Sequence, residues 1–296
     1  MSGSRRGAVP SAMSKEEGTV SSPPISRRQL AVQMRQKRLA AGLTLDEAAE
    51  ALEWSKTKVS NIETGRSKFP AVSDIGLLLA LYKVDEREVT SIQELTRQSR
   101  KRGWWRRYDD VITGDYVSLE AGASHLRVYE PTYIPGLLQT SDYARAVAHE
   151  TLMRDPDEIE RVVEARMHRQ TILTADDAPE LWAIIDEHAL QLLANNHPEL
   201  CREQVAHLIE MTQQPNTATI QVLPVSAGLH AGMGGPFVIL DYAEPNEATV
   251  FIETDTDGLY LDKPPEIDRY RRIFDRLVSK AMDPDEVPDY LKKLTV

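Results

Sequence analysis

GLTLDEAAEALEWSKTKVSNIETG, residues 42–65, reads as two short helices joined by a tight turn. Thr44 can cap the first helix, and Glu47 three residues later completes a capping box. Leu45, Ala48, Ala49 and Leu52 then fall on one helical face. Ser55 restarts the chain as a second N-cap. Val59 and Ile62 form the apolar side of the second helix, and Gly65 stands where a left-handed residue is wanted. Lys56, Thr57, Lys58, Ser60 and Asn61 occupy its polar side. This layout is that of a helix-turn-helix, which sets its second helix in a DNA major groove. Helices of about 8 residues are marginal alone and must pack on neighbours. Leu30, Met34 and Leu39 upstream and Ile75, Leu77, Leu78 and Leu81 downstream are expected to supply them, giving an all-α bundle of about five helices.

Over residues 26–85 the chain resembles the phage-repressor (XRE) type of helix-turn-helix. Ala49, Val59 and Ile62 match that family's shared core. Ser60-Asn61-Ile62-Glu63-Thr64-Gly65 matches its S-x-I-E-x-G ending, and GLTLDEAA its G-L-T-Q-x-E-L-A opening. The resemblance implies that Lys56, Thr57, Ser60 and Asn61 face base edges. Lysine suits guanine acceptors and asparagine suits adenine. Lys58, Arg66 and Lys68 are better placed for phosphates. Two positions depart from the pattern. Leu45 replaces a glutamine that can bond a phosphate, and Glu53 replaces the turn glycine, so either the turn is less sharp or Glu53 takes a strained conformation.

The 296 residues suffice for two domains, and the charge is divided between them. Residues 1–107 hold 20 lysines and arginines against 12 aspartates and glutamates, a net of +8 within a chain whose total is −11. The acidic remainder carries −19. A basic front on an acidic body is the electrostatic footprint of a DNA-binding head with a separate regulatory domain. The single cysteine, Cys201, excludes an internal disulfide and points to a cytoplasmic protein. No apolar run approaches the roughly 20 residues a membrane span needs. Residues 1–24 carry Arg5 and Arg6 but no apolar core of a leader, and their Ser, Gly and Pro content reads as a disordered tail.

The division that follows is a tail over 1–24, a helix-turn-helix domain over 25–85, a basic linker helix over 86–108, a regulatory domain over 109–285 and a C-terminal tail over 286–296. In the linker, Arg97, Arg100, Lys101, Arg102, Arg106 and Arg107 surround Trp104 and Trp105. The tryptophans can dock the linker on the second domain, and the basic and aromatic residues can grip a DNA backbone; the two readings are compatible.

Beyond residue 109, helical patterns cover roughly 115–130, 140–150, 157–174, 187–213 and 265–281. Strand-like runs are 181–186, 218–224, 237–242 and 249–254, with Pro245-Asn246 as a hairpin turn. Helices and strands are segregated, which favours a larger α+β domain with a mainly antiparallel sheet. YEPTYIPGLLQTSDYARAV (129–147), EARMHRQTIL (164–173), LWAIIDEHAL (181–190), IQVLPVSAGLHAGMGGPFVIL (220–240) and RYRRIFDRL (269–277) resemble the C-terminal domain common in actinobacterial XRE regulators. That resemblance implies transcriptional control of development and secondary metabolism, and a small partner protein encoded by a neighbouring gene.

Catalytic signals are weak. The loop around His230 is glycine-rich but lacks a phosphate-binding pattern. Asp186, Glu187 and His188 read as helix-capping groups, and Tyr129 and Glu130 as packing and capping residues. The histidines and Cys201 show no metal spacing, and Glu253, Asp255 and Asp257 lack the pattern of a calcium loop. No cofactor or metal is expected. The reading is a non-enzymatic regulator that binds double-stranded DNA as a homodimer, its acidic body serving dimerisation, partner binding or ligand sensing. The alternative is an enzyme with a DNA-binding head, its pocket formed by His230 beside Glu253.

Overall fold

The computed structural model describes residues 23–67, 69–100, 104–108, 110–111, 115–151, 155–214, 218–243, 247–254 and 258–295. Arg5, Arg6, Lys68, Lys101, Arg102, Pro245, Asn246, Asp255 and Asp257 lie outside them.

Five helices build the head: α1 (Pro23–Ala40), α2 (Leu45–Ala51), α3 (Lys56–Glu63), α4 (Val72–Leu81) and α5 (Glu86–Gln98). The local signals act as read. Thr44 and Glu47 form the complete capping box on α2, and the Ser55 hydroxyl caps α3 by accepting from the Lys58 N–H. Leu30, Met34, Ala48, Ala49, Val59, Ile62, Ile75, Leu78 and Leu79 are buried together. Leu39 and Leu77, expected in this core, are instead 57% and 50% exposed. Leu77 is two positions beyond Ile75, which carries it across the helix, whereas Leu78 and Leu79 come back to the core face. The fifth helix of the bundle falls within the stretch read as linker: α5 buries Ile92 in the same core and packs on α1 and α4.

The body is built on a six-stranded sheet of β1 (His125–Glu130), β2 (Glu180–Asp186), β3 (Ala218–Leu223), β4 (Phe237–Asp241), β5 (Ala248–Glu253) and β6 (Gly258–Leu261), in the order β3-β2-β1-β4-β5-β6. β1 pairs with β2 and β2 with β3 in parallel, while β1–β4, β4–β5 and β5–β6 are antiparallel. The sheet is therefore mixed, which corrects the expectation of a mainly antiparallel one. The reason is β1. Residues 115–130 read as one helix, but only α6 (Tyr116–Glu120) is helical there, and HLRVYE is the strand between β2 and β4. Parallel neighbours need long crossovers, supplied by α7 (Ser141–Glu150) with α8 (Pro156–Gln170), and by α9 (Glu187–Asn196) with α10 (Pro198–Gln213). The helix expected over 187–213 breaks at His197-Pro198 because proline cannot donate to a continuing helix.

Leu126 and Val128 of β1 face a core shared with Tyr143, Leu190 and Val205. Tyr129 faces the opposite core with Ile184, Ile239, Val250, Phe274 and Leu277, the last two from α11 (Pro264–Val278). The stretch read as a C-terminal tail contains α12 (Val287–Lys293), whose Val287 and Leu291 are fully buried in the first core. Gln29 of α1 donates to Glu247 at 3.3 Å, a contact between head and body. Among the described residues no helix is long and apolar enough to cross a membrane.

Candidate nucleic-acid interface

The turn before α3 stays sharp. Glu53 takes φ +55°, the left-handed conformation that side chains disfavour. The Glu53 and Trp54 N–H groups bond back to Glu50 O at 3.1 Å and Ala49 O at 2.8 Å. Of the two options at this position, the chain uses the strained one. At the other end of α3, Gly65 has φ +70°. Arg38 of α1 grips Glu63 through both guanidinium arms, Nε and Nη2, at 2.8 Å each, and its Nη1 donates to Leu43 O at 2.7 Å. This pair is almost fully buried, with 8% and 4% of the side chains exposed. The hydrogen bonds it donates to Glu63 hold the Arg38 guanidinium above its ordinary range. The helix is thus fixed at both ends.

The outer side of α3 carries the polar residues singled out by sequence. Lys56 and Thr57 are exposed, and Lys58, Ser60 and Asn61 half-buried. Arg66 is exposed beyond the helix, and Lys68 lies outside the described residues. The lysines do not point freely into solvent. Lys56 Nζ bonds Asp46 of α2 at 2.8 Å. Lys58 Nζ lies 3.6 Å from the centre of the Trp54 ring and 3.0 Å from Asp74 of α4. Ser60 engages through its backbone, accepting from Thr64 Oγ1 at 2.7 Å, and Asn61 O accepts from Ser67 N at 3.0 Å.

Thr57, Lys58 and Asn61 share a concavity of about 370 Å³ with Ser67, Phe69, Ala71 and Asp74. Ala71 offers α4 no side-chain cap, and the first turn of that helix carries the Asp74 carboxylate. Asp46, Ser67, Phe69 and Asp74 were missed in the sequence. The residues they meet are 10 or more positions away or in a loop, where no helical periodicity reports proximity.

The linker docks on the body. Trp104 stacks on His168 of α8 with ring centres 4.3 Å apart and planes 3° from parallel. Tyr108 meets both rings edge-on. Arg161 of α8 binds Asp110 at 2.6 Å and the Arg107 carbonyl at 2.8 Å, and its hydrogen bond holds the Asp110 carboxyl below the usual range. Arg97 pairs with Glu94 at 3.0 Å, and Arg100 donates to Pro70 O at 3.3 Å. The docking role of Trp104 is therefore formed.

The pocket required by the enzyme alternative does not assemble. His230 Nδ1 accepts from Gly232 N at 3.2 Å, and its ring lies edge-on to Tyr129, 6.1 Å away, on the α11 face. A Cβ at Gly232 would come 2.6 Å from the Tyr129 ring, which explains a glycine at this close approach. Glu253 alternates with Ile252 and so projects from the opposite face, with Phe251. Asp186 caps α9 by accepting from the His188 N–H at 2.9 Å, and Glu187 accepts from Val225 N at 2.7 Å. Among the described residues no three histidine, cysteine or carboxylate side chains gather as metal ligands.

Two family models match the chain. A helix-turn-helix domain covers residues 29–92, and a domain of unknown function (DUF5753) covers residues 113–293. No curated protein and no solved structure matches. The head is a helix-turn-helix of a DNA-binding regulator.

Proposed function

The chain belongs to the family defined by this domain of unknown function (DUF5753), and we propose that it is a sequence-specific transcriptional regulator of the phage-repressor (XRE) type found in actinobacteria. It binds double-stranded DNA as a homodimer in the cytoplasm, because one short recognition helix contacts too few base pairs for useful specificity and a dimer reads two half-sites. Lys56, Thr57, Ser60 and Asn61 address base edges. Lys58, Arg66 and Lys68 address phosphates. The body serves dimerisation, binding of a small partner protein or ligand sensing, and it performs no catalysis.

The observation that carries this reading is the placement of α3. Val59 and Ile62 seal its apolar side, its ends are pinned, and its outer side carries the exposed Lys56 and Thr57 and the half-buried Asn61. The test is footprinting of the full chain on its own promoter over a range of salt. Paired protected half-sites, weakened by Lys56→Ala and Asn61→Ala, are expected. Binding that falls with salt but ignores sequence would reduce the head to phosphate contacts alone.

A further inference from the structure

Two acidic side chains stand side by side in the first turn of α2, and they turn in different directions. Glu47 turns back on the cap, its Oε2 accepting from the Thr44 N–H and Oγ1 at 2.8 Å each. Asp46 reaches forward to the next helix. Its Oδ2 accepts at 2.8 Å from Nζ of Lys56, the first residue of α3. Both side chains stay open to solvent, 58% for Lys56 and 68% for Asp46. The fold gains little from an ion pair this exposed. The other pair on this surface is seated differently: Lys58 lies over the Trp54 ring and beside Asp74, half-buried in the wall of the concavity.

Lys56 begins the helix whose N-terminal residues meet base edges in a major groove. Its ammonium group has three N–H donors, and Asp46 takes one, so two remain. A carboxylate has about four acceptor positions, so Asp46 still accepts after binding the lysine. The pair therefore presents two donors beside an acceptor. A G·C base pair shows N7 and O6 of guanine as acceptors in the major groove, and the N4 amine of cytosine as the adjacent donor. O6 and N4 are hydrogen-bonded to each other and so about 2.9 Å apart. Nζ and Oδ2 stand 2.8 Å apart, nearly the same spacing. An A·T pair sets its single donor between two acceptors and adds the thymine methyl group, so it satisfies fewer groups of the same two side chains.

We propose that Asp46 is a specificity-determining residue, and that the Asp46–Lys56 pair docks intact on one G·C base pair in each half-site. Lys56 donates to N7 and O6 of guanine, and Asp46 accepts from N4 of cytosine. The proposal deepens the DNA-binding reading of the head and rests on it. At other base pairs the Asp46 carboxylate approaches the DNA without a matching donor, which penalises wrong sites as well as favouring the right one.

The test is selection of duplexes from a randomised pool by the full chain, followed by titration of the selected site by fluorescence anisotropy. The wild-type chain is expected to fix one G·C pair per half-site. Exchanging that pair for A·T should weaken binding about tenfold, within the range of a bidentate base contact. Two altered bases probe the atoms: 7-deazaguanine lacks N7, and N4-methylcytosine has a methyl group in place of the spare amino hydrogen. Each should weaken wild-type binding about fivefold, as loss of one hydrogen bond implies. 7-Deazaguanine should cost Lys56→Ala nothing further, and N4-methylcytosine should cost Asp46→Ala nothing further. Circular dichroism checks that both variants, altered at exposed positions, keep the fold. Enrichment of a site with no fixed G·C pair overturns the proposal. So does a penalty from N4-methylcytosine that Asp46→Ala retains, or an Asp46→Ala chain that binds every duplex more tightly by the same factor. Those results leave DNA binding by the head standing, whereas no enrichment of any sequence overturns both.

Discussion

Replacing Glu63 with alanine should strongly destabilise the head without touching its DNA-facing surface. The substitution removes two hydrogen bonds of 2.8 Å to Arg38 and leaves that guanidinium buried with only Leu43 O as partner. Breaking a buried pair by removing one member costs about 3–5 kcal/mol, because the remaining charge is uncompensated. Against a domain stability of about 5–15 kcal/mol, that is about a fifth of the total at the least and nearly all of it at the most. Urea denaturation followed by helical circular dichroism, with hydrogen exchange of α1 and α3 amides, reads the loss and localises it. Replacing both residues together, Arg38→Met with Glu63→Leu, should recover most of it, since well-packed apolar side chains substitute for a buried pair at little or no cost. A loss below about 1 kcal/mol for Glu63→Ala would place the pair with surface ion pairs and refute the reasoning.

At the turn, Glu53→Gly should stabilise the head by about 0.5–1 kcal/mol, because the φ +55° conformation strains a side chain more than glycine loses in chain entropy; an unchanged urea midpoint would mean the turn carries no strain. Asp74→Asn frees Lys58 and removes a negative charge from the DNA-facing concavity. It should tighten binding to any duplex about fivefold at low salt, as about 1 kcal/mol of repulsion implies, and titration by fluorescence anisotropy checks this. Glu130, with its folded value raised to about 8 from 4.5, binds its proton more tightly in the folded chain. The resulting stability is full below pH 4.5 and is lost as pH rises through 8, so Glu130→Gln should flatten the fall in melting temperature over that window. Discounted for solvent screening at a half-buried group, the effect is about 1–3 kcal/mol, and melting curves that stay parallel from pH 5 to 8 would exclude it.

The head was largely legible because its signals are local. A cap and its partner are three residues apart at Thr44 and Glu47, the apolar face repeats at helical spacing through Ala48, Ala49, Val59 and Ile62, and Gly65 ends α3 in a left-handed conformation that glycine adopts without steric cost. The body was less so. HLRVYE follows a helical turn at 116–120, and its alternation breaks at Tyr129-Glu130, so it passed as the end of a helix, although it is the strand on which the parallel and antiparallel halves of the sheet meet. β6 and α12 are only four and seven residues long, and periodicity over so short a span decides little.

By itself, the sequence determined the helix-turn-helix, its caps, the polar face of α3 and the division of charge between head and body, since each depends on residues close together along the chain. Tertiary structure alone decided the mixed sheet, the burial of Arg38 against Glu63, the capture of Lys56 and Lys58 by Asp46 and Asp74, and the separation of His230 from Glu253 across the sheet. Those outcomes join residues 10 to 50 or more positions apart. Which distant groups meet is set by strand pairing and helix packing over the whole chain, and nothing in local spacing encodes it.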